Sequence, residues 1–159
     1  MPLADLLTAE RIVMMTEPGD RDQVLDAAAR LLAASSPTMT PVIGAALRER
    51  ESVGSTGIGH GVAIPHARSN AHDAARGAFL RLERAVEFGA RDQVPVDLVF
   101  AMSVPSHSPQ QHLEILSELA ERFSSAEFRD ALRGAADVQA LRRVLLDLPR
   151  ATMTLREAS

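Results

Sequence analysis

The segment from Val96 to Val104 constrains the fold more than any other part of the chain, because nearly all of its side chains are apolar and β-branched or bulky. A strand of this composition is expected to be buried on both faces, with other layers covering its sheet. Patterns of helical period lie on both sides of it along the chain. Helices and strands mixed in this order predict an α/β layered domain.

Local patterns predict the other elements. Further strands are expected at 11–15, at 62–64 before Pro65, and at 77–83, where the alternation of side chains indicates a half-buried strand. Helix starts are expected at three capping patterns, which are Asp20 with Gln23, Thr40 with Pro41, and Ser108 with Gln111. The inner face of the third helix would carry His112, Leu116, Leu119 and Phe123. Two short helices follow it, the second from Asp137 to a stop at Pro149.

The length of 159 residues suits one domain, which we expect at 1–149, with 150–159 as a flexible tail. No apolar run approaches the roughly 20 residues needed to span a bilayer. The N-terminus also lacks the basic start and apolar stretch of a secretory signal. We therefore expect a cytoplasmic protein that does not insert into a membrane.

The residue types that the chain lacks exclude several kinds of chemistry. It has no Cys, which rules out disulfides and thiolate nucleophiles, and no Lys, which rules out a Schiff base and the lysine of a P-loop. It also has no Tyr or Trp for stacking on bases, and its net charge is −4, so we expect no nucleic-acid partner. The remaining acid–base chemistry falls to five His and the carboxylates.

A glycine-rich stretch at 54–61 leads into a short strand and then His66. Glycines let backbone N–H groups converge on an anion, so Gly57, Gly59 and Gly61 are candidates for a phosphate-cradling loop. The same glycines are equally compatible with a tight surface connection. The stretch does not fit a P-loop or a dinucleotide-binding loop, since the lysine and the Gly-x-Gly-x-x-Gly spacing are both missing.

Two histidines are the main candidates for chemistry. Pro65 restricts the backbone before His66, so this ring is presented at a defined place beside the glycines. His112 lies in the first turn of a helix, near unpaired N–H groups, where it is either a core histidine or a donor to a phosphoryl oxygen. The histidine spacings require no zinc site, and no Gly-x-Ser-x-Gly elbow of a serine hydrolase is present.

The stretch from Arg50 to Ala67 resembles the signature of the IIA type-2 domain of the phosphotransferase system, the fructose–mannitol and nitrogen-regulatory class. The resemblance rests on Glu51, on Ile58-Gly59 and on the run from Val62 to His66, and it covers about residues 3–148. The family fold is a mixed β-sheet flanked by helices on both sides. His60 departs from the pattern because Asn is common there, and Ala67 departs because Gly is common there.

The resemblance implies that His66 accepts a phosphoryl group, as a tele-phosphohistidine, from an HPr-type phosphocarrier protein. Arg50, Thr56 and His112 match positions that surround the phosphohistidine, and neither a cofactor nor a metal is implied. The residues of the signature resemble those of the nitrogen-type regulator more closely, which implies regulatory target proteins as partners. A sugar-transport component that passes the phosphoryl group to a IIB domain remains open, as does a binding module that is never phosphorylated.

Overall fold

The computed structural model of the protein describes residues 3–146, and in this range the chain forms one mixed β-sheet with helices on both faces. The predicted domain end at residue 149 and the predicted tail at 150–159 lie outside the described residues. The strands are β1 (Ile12–Met15), β2 (Gly57–Gly59), β3 (Val62–Ala63), β4 (His66–Arg68), β5 (Arg76–Val86) and β6 (Val96–Val104). The helices are α1 (Arg21–Leu32), α2 (Thr40–Ser52), α3 (Pro109–Phe123) and α4 (Ala126–Gly134), and the chain is again helical over 138–146.

The strand β6 is the centre of the sheet, as its apolar sequence predicts. The strand order is β1-β5-β6-β3-β2, and β4 also pairs with β6 beyond the end of β3. Pairing of β6 with β3 and β4 is parallel, whereas pairing with β5 is antiparallel. The sheet is therefore mixed, and β6 connects the segment that carries His66 to the rest of the fold.

Two apolar clusters cover the two faces of the sheet. One contains buried side chains of α1 and α2, including Val24 and Leu47, packed with Ala67 and Leu80 from the strands. The other contains side chains of α3, α4 and the last helical segment. The predicted α/β layering is confirmed. No helix in the range 3–146 has the length and apolar character that crossing a membrane requires.

The strand β5 is more deeply buried than its sequence indicates. The predicted alternation is present, since Ala78, Leu80 and Leu82 all belong to the cluster beneath α1 and α2. However, Phe79 on the opposite face is also fully buried, against the helices of the other layer. The prediction of a half-buried strand therefore fails over residues 77–80, which are buried on both faces because helices cover both sides of the sheet. It holds toward the end of the strand, where Arg81 is half-buried and Glu83 is exposed.

The capping predictions had different outcomes. Asp20 and Gln23 form the expected capping box, in which each side chain accepts from the other residue's backbone N–H at 2.9 Å. Thr40 is not an N-cap but the first residue of α2, which continues from a 3-10 turn at Pro37–Met39. Ser108 precedes α3 but its side chain makes no capping hydrogen bond, so the capping box predicted there was wrong.

Candidate functional site

The strand β4 sets the position of His66. Its ladder with β6 pairs His66 with Met102, and the carbonyl oxygen of Pro65 accepts a hydrogen bond of 2.9 Å from the N–H of Met102. Proline lacks an N–H but keeps its carbonyl, so the ladder continues past it. We predicted that the strand would end at Pro65, and it instead resumes at once. His66 is therefore held by sheet hydrogen bonds rather than on a loose turn.

Two hydrogen bonds determine which nitrogen of the His66 ring carries the hydrogen. The Nδ1 atom lies 2.9 Å from the carbonyl oxygen of Ile64, which can only accept. The Nε2 atom accepts from Nε of Arg50 at 3.2 Å, and a guanidinium can only donate. The neutral ring consequently has its hydrogen on Nδ1 and a lone pair on Nε2. His66 as a whole is half-buried.

The surroundings of His66 favour the neutral ring. Burial lowers the pKa of His66 below 6.5, and the charges of Arg50 and Arg68 act in the same direction. The hydrogen bond to Ile64 and the charge of Glu51 oppose the shift without reversing it. Since a neutral imidazole has a free lone pair and an imidazolium has none, these surroundings maintain a nucleophilic ring.

A chain of hydrogen bonds runs from a buried carboxylate to the His66 ring. Glu51, only 4% exposed, accepts from the hydroxyl of Thr56 at 2.6 Å and from its N–H at 2.8 Å. The carbonyl oxygen of Thr56 accepts from the N–H of Ile64 at 3.0 Å, and the carbonyl oxygen of Ile64 accepts from His66. In the sequence, Glu51 is recognisable only as part of a signature. Its burial beside Thr56 is the feature that the sequence did not reveal.

His112 lies on the inner face of α3 and is 5% exposed. Its ring meets that of His66 edge to face, with centroids 5.0 Å apart. Burial, followed by the charges of His66, Arg68 and Arg50, lowers the pKa of His112 to about 4. The Nδ1 atom accepts from Nε of Arg68 at 3.0 Å, whereas the buried Nε2 atom has no hydrogen-bond partner among the described residues.

The side chains of the site converge from different elements. Ala67 packs in the cluster beneath α1 and α2, so alternation along β4 turns His66 and Arg68 toward the layer that contains His112. Arg50 comes from α2 and also donates to the carbonyl oxygen of Gly54 at 2.8 Å. Within residues 3–146 neither Arg50 nor Arg68 forms a salt bridge, so two positive charges remain available to an anion.

The glycine-rich stretch forms a β-hairpin, where we had predicted a loop. Gly57–Gly59 pairs with β3, and the turn residues His60 and Gly61 have φ angles of 58° and 78°. The N–H of His60 donates to Asp92 at 2.9 Å, and its carbonyl oxygen accepts from Arg133. These contacts hold the hairpin tip against the loop before β6 and against α4.

Backbone conformation explains why glycine occurs at two of the three positions of the candidate phosphate-cradling loop. Gly59 and Gly61 both have positive φ. A Cβ atom at Gly59 would lie next to Asp92, and a Cβ atom at Gly61 would lie next to Arg133 and Asp97. At Gly57, a side chain would collide with Ala90. A phosphate-cradling role for Gly57, Gly59 and Gly61 thus stays a prediction, whereas His66, Arg50 and His112 come together in space. Among residues 3–146, no group of three His, Cys, Asp or Glu is placed to hold a metal ion.

Comparisons with known proteins agree on one family. Its description is "Phosphoenolpyruvate-dependent sugar phosphotransferase system, EIIA 2", and its sequence model matches residues 5–147. The nitrogen regulatory protein of Pseudomonas aeruginosa is 37% identical over 147 residues, covering 92% of this chain and 96% of the relative. The fructose-specific EIIA component of the phosphotransferase system of Haloferax volcanii is 36% identical over 103 residues, covering 65% of this chain and 67% of the relative.

Solved structures show the same likeness. The crystal structure of the nitrogen regulatory protein IIA-Ntr from Neisseria meningitidis superimposes with a TM-score of 0.82 at 37% identity, covering 90% of this chain and 98% of the other. The crystal structure of mannitol IIA from Escherichia coli superimposes with a TM-score of 0.70 at 19% identity, covering 87% and 98%, respectively. The second comparison concerns the fold alone.

Proposed function

Since the chain belongs to the type-2 EIIA family of the phosphoenolpyruvate-dependent sugar phosphotransferase system, we propose that Nε2 of His66 accepts a phosphoryl group from the phosphohistidine of an HPr-type phosphocarrier protein. The observation that carries this proposal is the pair of hydrogen bonds that places the ring hydrogen on Nδ1 and the lone pair on Nε2. The product is a tele-phosphohistidine at His66.

The transfer is balanced without any additional reactant. The lone pair on Nε2 of His66 forms the new nitrogen–phosphorus bond while the bond between phosphorus and the donor's ring nitrogen breaks. The electron pair of the broken bond returns to the donor ring. The hydrogen on Nδ1 stays in its bond to the Ile64 carbonyl, which stabilises the positive charge that the His66 ring gains. No step of this reaction requires a metal ion or a cofactor.

Transition-state stabilisation falls to hydrogen-bond donors around the phosphoryl group. Phosphoryl transfer passes through a loose transition state with negative charge on the equatorial oxygens, so positioned donors provide most of the catalysis. Arg50 releases Nε2 of His66 when phosphorus arrives, and its guanidinium then faces the phosphoryl oxygens. Nε2 of His112, which has no hydrogen-bond partner within residues 3–146, is a second donor. Losing one such donor typically costs about 10²–10³ in rate, by analogy with oxyanion holes.

Thr56 has a different part in this proposal. Both its hydroxyl and its N–H already donate to Glu51, so neither is free to bind the phosphoryl group. Through its carbonyl oxygen Thr56 holds Ile64, and Ile64 holds Nδ1 of His66. Thr56 and Glu51 therefore act by positioning the acceptor ring.

Exposed apolar side chains near the site support a protein as the phosphoryl donor. Val53, which follows the last turn of α2, is 78% exposed, and Leu113, next to His112, is 60% exposed. We propose that the docked donor covers both side chains, since apolar surface that joins into one patch is typical of protein-binding sites. Together with Arg50 and Arg68 they provide apolar contact around a positively charged centre, which suits a partner that presents a phosphorylated histidine.

We propose a regulatory role in which the phosphorylation state of His66 alters binding to target proteins. Support comes from the relatives with 37% identity, which are nitrogen regulatory proteins in both sequence and structure comparisons. The alternative is transport of sugar, in which a IIB domain takes the phosphoryl group from His66. The similarity to a fructose-specific EIIA component supports that alternative. Either role places the protein in the cytoplasm with its donor.

The central experiment is phosphorylation with phosphoenolpyruvate, enzyme I and an HPr-type donor, followed by intact-mass measurement. We expect one acid-labile phosphoryl group in the wild type and none in His66→Ala. His107→Ala is the matched control, because His107 is an exposed histidine that forms no hydrogen bond to His66, Arg50 or His112 within residues 3–146, and it should be phosphorylated like the wild type. A wild-type protein that gains no phosphoryl group would favour the binding module that is never phosphorylated. A His66→Ala variant that still gains one would show that another residue is the acceptor.

A second experiment separates regulation from transport. The phosphorylated protein is mixed with a purified IIB domain of the fructose class, and loss of the phosphoryl group from His66 is followed by mass. We expect no transfer above the rate of spontaneous hydrolysis, and different sets of proteins retained by immobilised phosphorylated and unphosphorylated forms. Rapid transfer to the IIB domain, with the same proteins retained by both forms, would favour transport.

A further inference from the structure

Arg68 is an exposed residue on β4 to which the sequence assigned no role. Its Nε atom donates to Nδ1 of His112 at 3.0 Å. A guanidinium has donors only, so this bond requires a lone pair on Nδ1. In a neutral imidazole the single hydrogen must then be on Nε2, which makes Nε2 of His112 a donor.

That donor is unusual because nothing in the described part of the chain satisfies it. Nε2 of His112 is buried and has no hydrogen-bond partner there. Leaving a buried polar group unpaired destabilises a fold, so such groups are rare unless they have a use. The ring of His66 is its neighbour, with 5.0 Å between the two centroids.

We propose that Arg68 is a positioning residue that holds His112 in the tautomer with its hydrogen on Nε2, ready to donate to a phosphoryl oxygen on His66. This inference rests on the proposed phosphorylation of His66. Arg68 thereby acts on the phosphoryl group through His112 and not by direct contact.

The opposite tautomer would fail at both nitrogens. A hydrogen on Nδ1 would face the N–H of Arg68, and two donors would then oppose each other. A lone pair on Nε2 would face the negative oxygens of the phosphoryl group. The tautomer must be chosen, because burial and the neighbouring charges keep the ring neutral, with a pKa of about 4. Arg68 is the hydrogen-bond partner that makes this choice.

A purely structural role for Arg68 would predict that its substitution lowers folding stability and leaves the His112 tautomer unchanged. Arg68 is exposed and forms no salt bridge with any residue of the described range, so its substitution should cost little folding stability and leave the fold intact. Three variants separate the contributions of the side chain. Arg68→Lys keeps a charged group that only donates, Arg68→Gln has an amide that both donates and accepts, and Arg68→Met has neither. Arg91→Gln makes the same charge change at an exposed site elsewhere and is the matched control.

The first measurement is long-range ¹H–¹⁵N NMR of the histidine rings in the uniformly labelled, unphosphorylated protein. We expect His112 to show a protonated Nε2 and an unprotonated Nδ1 in the wild type, in Arg68→Lys and in Arg91→Gln. Arg68→Gln and Arg68→Met should show a mixture of tautomers. A wild type with the hydrogen on Nδ1, or substitutions that leave the spectrum of His112 unchanged, would overturn the inference.

The second measurement is the rate of phosphorylation by the HPr-type donor. Arg68→Gln should slow it about tenfold, as expected for loss of one hydrogen bond, and Arg68→Lys should restore most of the rate. In a His112→Ala background, Arg68→Gln should slow phosphorylation far less, because only the loss of its positive charge near His66 then remains. An equal slowing in both backgrounds would mean that Arg68 acts directly, and the inference would be wrong.

The two measurements also distinguish this inference from the proposed function. A wild type that is never phosphorylated refutes the function at His66, and with it the use that the inference gives to the His112 tautomer. A wild type that is phosphorylated normally, together with Arg68 variants that change neither tautomer nor rate, refutes only the role of Arg68.

Discussion

The imidazole rings of His66 and His112 meet edge to face, with their planes at 77° to each other. Their tautomers are opposite, because an arginine donates to Nε2 in His66 but to Nδ1 in His112. One ring therefore presents a lone pair and the other a hydrogen. In the proposed reaction the lone pair of His66 attacks phosphorus and the hydrogen of His112 binds a phosphoryl oxygen.

Replacing His112 should affect phosphorylation more than folding. We expect His112→Ala to reduce the rate by about 10²–10³, since it removes a donor to the transition state. His112→Gln keeps an N–H group and should retain much more of the rate. The measurement is the time course of phosphoryl uptake, with thermal unfolding recorded in parallel. If His112→Ala reacts at the normal rate but loses thermal stability, His112 is a core histidine.

Glu51 should matter for both stability and the acceptor ring. Glu51→Gln replaces an oxygen that accepts from Thr56 with an amide donor, and we expect a loss of about 1–3 kcal/mol in the free energy of unfolding. The charge of Glu51 raises the pKa of His66, so this pKa should fall further in the variant. Urea denaturation and NMR titration of His66 measure the two effects. Glu49→Gln, at an exposed position on the same helix, should change neither.

Acidification should destabilise the protein through His112. The pKa of this ring is lowered from 6.5 to about 4 in the folded state. Above pH 6.5 both states are neutral and His112 has no effect, but below it the unfolded chain binds a proton that the folded protein does not. The free energy of unfolding should therefore decrease as the pH falls from 6.5 toward 4. Urea denaturation across this range should show a weaker pH dependence in His112→Gln, and an unchanged dependence would contradict the assignment.

His60 should be replaceable without loss of phosphorylation. Its φ angle of 58° lies in the left-handed region, which asparagine adopts more readily than histidine. His60→Asn is expected to raise the free energy of unfolding by up to about 1 kcal/mol and to leave the rate of phosphoryl uptake unchanged. His60→Val, which is β-branched, should lower stability. A slower rate in His60→Asn would show that the ring takes part in the chemistry.

The sequence predicted the layers of the fold because those depend on local periodicity. The apolar run of β6 and the capping box of Asp20 with Gln23 were read correctly, since each pattern is short and internally complete. Ser108 with Gln111 has a similar pattern and was read wrongly. The backbone at Ser108, with φ −124° and ψ 63°, departs from the extended geometry that a capping side chain needs. The chain entering α3 follows a path that the local sequence does not determine.

The order of residues along the chain was enough to identify the candidate acceptor ring, because Pro65, the signature around it and the absence of Lys and Cys favour His66. The chemistry of that ring and of its neighbour follows from contacts made in the folded protein. Arg68 and His112 are 44 positions apart, yet their contact fixes a tautomer, and the burial of Glu51 beside Thr56 orders the backbone that holds His66. Tautomers and pKa values depend on which groups come into contact in the folded protein. Contacts between residues far apart in the chain produce no periodic pattern in the sequence, so the sequence does not predict them.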